Sequence, residues 1–95
     1  ASWKVYLDGE VVGAGCDAVV SQLTFSPAAD APAYVGRYLA RGETSFALSF
    51  AGKLSRGYGS IWMGDGGKLF VTEDGGIEYF AKSGSLLYRV VARAE

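Results

Sequence analysis

Tyr58-Gly59-Ser60-Ile61-Trp62-Met63-Gly64-Asp65-Gly66-Gly67-Lys68-Leu69-Phe70-Val71-Thr72-Glu73-Asp74-Gly75-Gly76-Ile77-Glu78-Tyr79-Phe80-Ala81-Lys82 decides the fold class. Three short runs rich in β-branched and aromatic residues are separated by two Asp-Gly-Gly turns. The turns start nine residues apart, at Asp65 and Asp74. Glycine accepts the positive φ that tight turns require, and Asp caps such turns with its side chain. Short strands at this spacing predict an antiparallel meander.

The pattern continues outward on both sides. Ser83-Gly84-Ser85 predicts another turn, leading into a final strand over 86–92. Upstream, 44–51 reads as a strand with Phe46, Leu48 and Phe50 inward and Ala47, Ser49 and Ala51 outward. A face of such small residues lets another backbone or sheet approach closely. Gly52-Lys53 then turns the chain. At the start, Trp3, Val5 and Leu7 alternate with Lys4 and Tyr6, and Asp8-Gly9 suits a type I′ hairpin turn. Val11 and Val12 begin the return strand, and Gly13-Ala14-Gly15 interrupts it as a bulge or turn. A further strand spans 17–25, and two prolines break the ladder over 26–32.

The segment 31–41 fits a short helix better than a strand. As a strand it would put Arg37 and Arg41 beside Val35 and Leu39. As a helix it gathers Tyr34, Val35, Tyr38 and Leu39 into one stripe, with Asp30 as cap, Pro32 in the first turn and Gly42 just past the end. The expected fold is therefore mainly β, or α+β with this helix. It is one domain over 1–95, an antiparallel meander of about seven strands curled into a small barrel or sandwich.

Composition narrows function. The 95 residues contain no histidine and one cysteine, Cys16. A Ser-His or Cys-His nucleophile cannot be built within this chain, and the commonest metal ligand is missing. The expectation leans away from an enzyme, with no cofactor and no metal. Nine basic and ten acidic residues give a net charge of −1, with no run of either sign. A phosphate-binding surface would need a basic stripe, so neither nucleic acid nor an anionic membrane is the expected partner. Hydrophobic residues make up 49% and charged residues only 20%. A small body so short of charge leaves apolar area exposed, and such area marks interfaces. A single cysteine and no apolar leader point to a cytoplasmic protein.

Most chemical motifs read more simply as structure. Cys16 in Gly15-Cys16-Asp17 reads as a packing residue, since thiolate activation would need a cation or helix N-terminus. Asp65, Glu73 and Asp74 lack the alternating oxygens of a calcium loop and read as turn residues. Gly13-Ala14-Gly15 lacks the Lys-Ser/Thr and the long helix of a phosphate loop. Nearly all of Asp8, Glu10, Asp17, Glu43, Glu73, Asp74 and Glu78 sit at turns or on polar faces, which makes a catalytic carboxylate pair a weak reading. The aromatics are the best binding candidates, because large rings with polar handles are favoured at interfaces. Trp62, Tyr58, Trp3 and Tyr79 lead, with Tyr58, Ser60 and Trp62 on one strand face opposite Ile61 and Met63.

The opening Trp3-Lys4-Val5-Tyr6-Leu7-Asp8, with Gly13-Ala14-Gly15 and Ala18, resembles the start of profilins, which show Trp-x-x-Tyr-Val-Asp and often Gly-Ala-Gly. The resemblance covers about the first fifth of the chain. It implies an N-terminal helix, Trp3 and Tyr6 at a proline-peptide site, and actin binding. The chain is shorter than that family and its end lacks an amphipathic helix. The residues themselves favour a non-enzymatic interaction module that self-associates through an exposed aromatic and small-residue sheet face, as a homo-oligomer or with a protein partner. The alternative is a carrier that holds a small apolar ligand in a lipocalin-like barrel.

Overall fold

Three hairpins turn on two residues at positive φ, as type I′ geometry requires. These are Asp8-Gly9 (52° and 83°), Arg41-Gly42 (53° and 77°) and Ala51-Gly52 (53° and 77°). The first joins β1 (Trp3–Leu7) to β2 (Glu10–Cys16). The other two join β5 (Ala31–Ala40), β6 (Glu43–Phe50) and β7 (Lys53–Leu54). A fourth tight turn, with Gly84 at φ 60°, joins β10 (Ile77–Ser83) to β11 (Leu86–Ala92). Short strands β3 (Ala18–Val19), β4 (Thr24–Ser26), β8 (Ser60–Trp62) and β9 (Phe70–Val71) complete the chain. The computed structural model describes residues 3–94, and within them it is mainly β, with every strand pairing antiparallel.

The strands form three sheets, which pack as layers of a small sandwich. The β1–β2 hairpin is the first. The second has the order β3-β5-β6-β7 with β4 also on β5, and the third β11-β10-β8 with β9 also on β10. No closed barrel forms among the described residues. The main core lies between the second and third sheets, where Ala33, Val35, Leu48, Phe50, Ile61, Ile77, Tyr79 and Ala81 are buried. A smaller core of Val5, Cys16 and Tyr34, flanked by Val19 and Tyr38, joins the hairpin to the second sheet.

The expected helix over 31–41 is not there: these residues form the longest strand, β5. Its burial explains the misreading. Ala33, Val35, Leu48 and Phe50 face the main core, while Tyr34, Gly36, Ala47 and Ser49 face the hairpin. A strand covered on both sides loses its period-two signature. Pro32 lies just before the β5–β6 ladder begins at Ala33, so its missing N–H costs that ladder nothing. Gly42 serves a hairpin turn rather than a helix end. The break expected over 26–32 is shorter too, since Ser26 already pairs with Ala31 around a loop closed by Asp30 N–H donating to the Pro27 carbonyl at 3.2 Å.

Two further expectations change. The small-residue face of β6 is not an outer surface. Ala47 and Ser49 are each 3% exposed, covered by the chain's own hairpin. The 58–82 segment is not a simple meander either, because β8 and β9 lie end to end along one edge of β10. The strand also changes sheet at Gly59. Tyr58 bonds Phe46 of β6 in both directions at 2.8 Å, and Gly59 N–H then donates to the Lys82 carbonyl of β10 at 2.9 Å. Gly13-Ala14-Gly15 does bulge, between the Val5–Val12 and Trp3–Cys16 pairs. Among the described residues, no helix is long and apolar enough to cross a membrane.

Candidate interaction surface

The third sheet has one face in the core and one face bare. Along β10, Ile77, Tyr79 and Ala81 point inward and are at most 2% exposed. Glu78, Phe80 and Lys82 therefore point outward. Cross-strand register carries this face onto the neighbours. Phe80 lies opposite Trp62 on one side and Arg89 on the other. Glu78 lies opposite Phe70 and Val91, and Lys82 opposite Ser60 and Leu87.

The bare face is aromatic. Trp62 is 55% exposed, Phe70 60% and Phe80 43%, with Leu87 exposed beside them. Their charged neighbours carry both signs, and Arg89 pairs diagonally with Glu78 at 2.5 Å. That pair is solvent-facing, so it orients the two side chains more than it stabilises the fold.

The sequence-predicted residues separate in space. Trp62 stands on this outer face. Tyr58 and Tyr79 lie in the core, because the change of sheet at Gly59 turns Tyr58 away from Trp62. Their rings meet edge to face, with centroids 6.3 Å apart. Tyr58 also packs against Tyr88 at 6.0 Å, and the Arg56 guanidinium covers both rings at 5.2 and 5.3 Å. Burial pushes the Tyr79 hydroxyl up to about 12. That hydroxyl faces Ser55 and Tyr58 without completing a hydrogen bond of good geometry.

Trp3 is exposed on a different patch, with Tyr6, Leu23 and Phe25. Two shallow apolar grooves of about 250 and 120 Å³ run beside Tyr6, bounded by Trp3 and Leu23 and by Phe25 and Pro32. The profilin-like opening is thus a β-strand here, not a helix. Sequence reading missed Phe70 and Phe80. Phe80 was legible, since it shares a strand face with Glu78 and Lys82 and alternates with Tyr79 and Ala81. Phe70, between Leu69 and Val71, carries no such mark.

The remaining candidates have structural surroundings. Cys16 is buried beside Gly36 and Tyr38, and burial pushes its thiol up, away from thiolate. Asp74 accepts hydrogen bonds from the Thr72 hydroxyl, the Gly76 N–H and Arg93, which hold its carboxyl low. A depression of about 530 Å³, lined by Val11, Pro32 and Tyr34 with small residues such as Ala31, Ser49 and Ala51, is an open groove rather than a barrel interior. Comparison with protein-family models, with curated proteins and with solved structures gives no match.

Proposed function

We propose that this domain is a non-enzymatic assembly module that self-associates through the outer face of the β8–β9–β10–β11 sheet. The observation that carries the reading is the set of half-exposed rings of Trp62, Phe70 and Phe80 on one sheet face whose opposite side is core. A sheet with two apolar faces is stable in water when both are covered, and here one layer is missing. A second copy supplies it by packing face to face about a two-fold axis, with sheets roughly 10 Å apart. The face suits itself: it carries Glu78, Arg89 and Lys82, so a rotated copy can set opposite charges around an aromatic centre. A stable dimer buries roughly 800 Å² per partner, of which each half-exposed ring supplies about 100 Å² and the rest of the sheet face the remainder. The domain exposes 5950 Å², enough for such a contact.

Light scattering coupled to a sizing column tests the reading on wild type and Trp62→Ala at micromolar concentration. The expected result is a smaller associated species in the variant, with the face contact weakened by about 2 kcal/mol or more and circular dichroism unchanged. A wild-type chain of 10.0 kDa at every concentration would overturn it.

A further inference from the structure

We infer that β11 is a second self-association site, pairing edge to edge with β11 of another copy to make one continuous sheet. This rests on the reading above only in that both describe assembly; it uses a different surface.

Edge strands expose unpaired N–H and C=O groups, and folded proteins blunt them with short lengths, bulges, prolines or lysines. The other edges here are blunted. β3 and β4 have two and three residues and are interrupted between them, β7 has two, β8 and β9 have three and two, β1 carries Lys4, and β2 is broken by its glycine bulge. β11 has seven residues, pairs with β10 without a register shift, and contains no Pro, Gly or Lys. Its only charge, Arg89, is paired to Glu78.

Charge and sterics choose the register. Pairing about Arg89 would oppose two arginines. Pairing about Val91 would oppose Arg89 to Arg93. Pairing about Tyr88 would run the partner into the Gly84-Ser85 turn. Pairing about Val90 avoids all three and sets Val91 opposite the partner copy's arginine at position 89. Because directly opposed residues share a face, the two outer faces then lie side by side. Two different two-fold contacts, one by face and one by edge, build a closed tetramer or an open fibre rather than a dimer.

Val91 and Leu87 also stand on the outer face, so the test leaves that face apolar and acts on the backbone. Ser83 and Leu86 close the two-residue hairpin as a hydrogen-bonded pair, so Leu87, Arg89 and Val91 turn their N–H groups away from β10 toward the seam. Val91→Pro and Leu87→Pro each remove one such donor while keeping an apolar side chain, and proline is tolerated on an edge strand whose N–H faces solvent. Light scattering on wild type, Val91→Pro, Leu87→Pro, Trp62→Ala and the Val91→Pro/Trp62→Ala double variant, each with wild-type circular dichroism, separates the two contacts. The expected outcome is wild type above dimer mass, each proline variant and Trp62→Ala stopping at a dimer, and the double variant monomeric. Wild type no larger than a dimer that both proline variants leave intact and Trp62→Ala abolishes overturns the edge contact and leaves the face. A dimer lost in the proline variants and kept in Trp62→Ala supports the edge and overturns the face. Wild type monomeric throughout overturns both.

Discussion

Gly36 shows how much a single position can decide. A β-carbon built there would sit 2.9 Å from the Cys16 Cβ, 3.1 Å from its Sγ and 3.1 Å from the Tyr38 ring. The bulged β2 strand therefore reaches β5 only because residue 36 has no side chain. Gly36→Ala is expected to destabilise by about 1–3 kcal/mol through overpacking, read as a lower urea midpoint with an unchanged m-value. Cys16→Ser tests the same contact from the other side. Burial disfavours the Cys16 thiolate, so the residue acts by volume. The substitution should cost roughly 0.5–2 kcal/mol and leave association unchanged. A variant that melts like wild type but no longer associates would return a chemical role to the thiol. Gly36 was legible only as a weak point of a helix; its true role needs β2, twenty residues upstream, to be in place.

At the scale of elements, the hairpin turns carry the most information. Asp8-Gly9 is a strong type I′ pair and forms one. Arg41-Gly42 and Ala51-Gly52 form the same turn with a residue that pays strain at positive φ. Nothing lies within 4 Å of a β-carbon placed on Gly42, so that site isolates backbone effects. Arg41→Asn should stabilise the domain by about 0.5–1 kcal/mol, raising Tm by a few degrees, and Gly42→Ala should lower stability by about 1 kcal/mol. Equal melting of both variants would show that this turn does not set the β5–β6 register. The strand pattern of β10 was readable because one side is core and the other is not. The pattern of β5 was not, because Tyr34 and Val35 are both buried and erase the alternation.

For the whole molecule, the two buried tyrosine hydroxyls set a limit at high pH. Burial raises Tyr38 and Tyr79 from 10.0 to about 12. In the unfolded chain the phenols ionise near 10. The unfolded state therefore loses protons first as pH rises, and linkage makes stability fall with pH. The stability they contribute is complete below pH 10 and is lost between about 10 and 12. Denaturant midpoints measured from pH 8 to 12 should be flat and then drop. Tyr38→Phe should reduce the drop, since it removes one titrating group whose hydroxyl makes no hydrogen bond. A drop of the same size in that variant would assign the transition to other groups.

Local chemistry by itself determined the strand-and-turn character of this chain. Asp-Gly and Gly-Gly pairs set where it turns, and alternating residues such as Ile77, Glu78, Tyr79 and Phe80 set which strands have a bare side. Those are properties of neighbouring residues, so a window of ten positions carries them. Which faces stay bare was decided only by tertiary structure. The Ala47–Ser49 face, open in sequence, is covered by a hairpin from the other end of the chain. Tyr58 and Trp62, on one face by alternation, part because the strand crosses between sheets at Gly59. Burial depends on what packs from far away, and the exposed aromatic face of the last sheet is what remains once every other surface has found its cover.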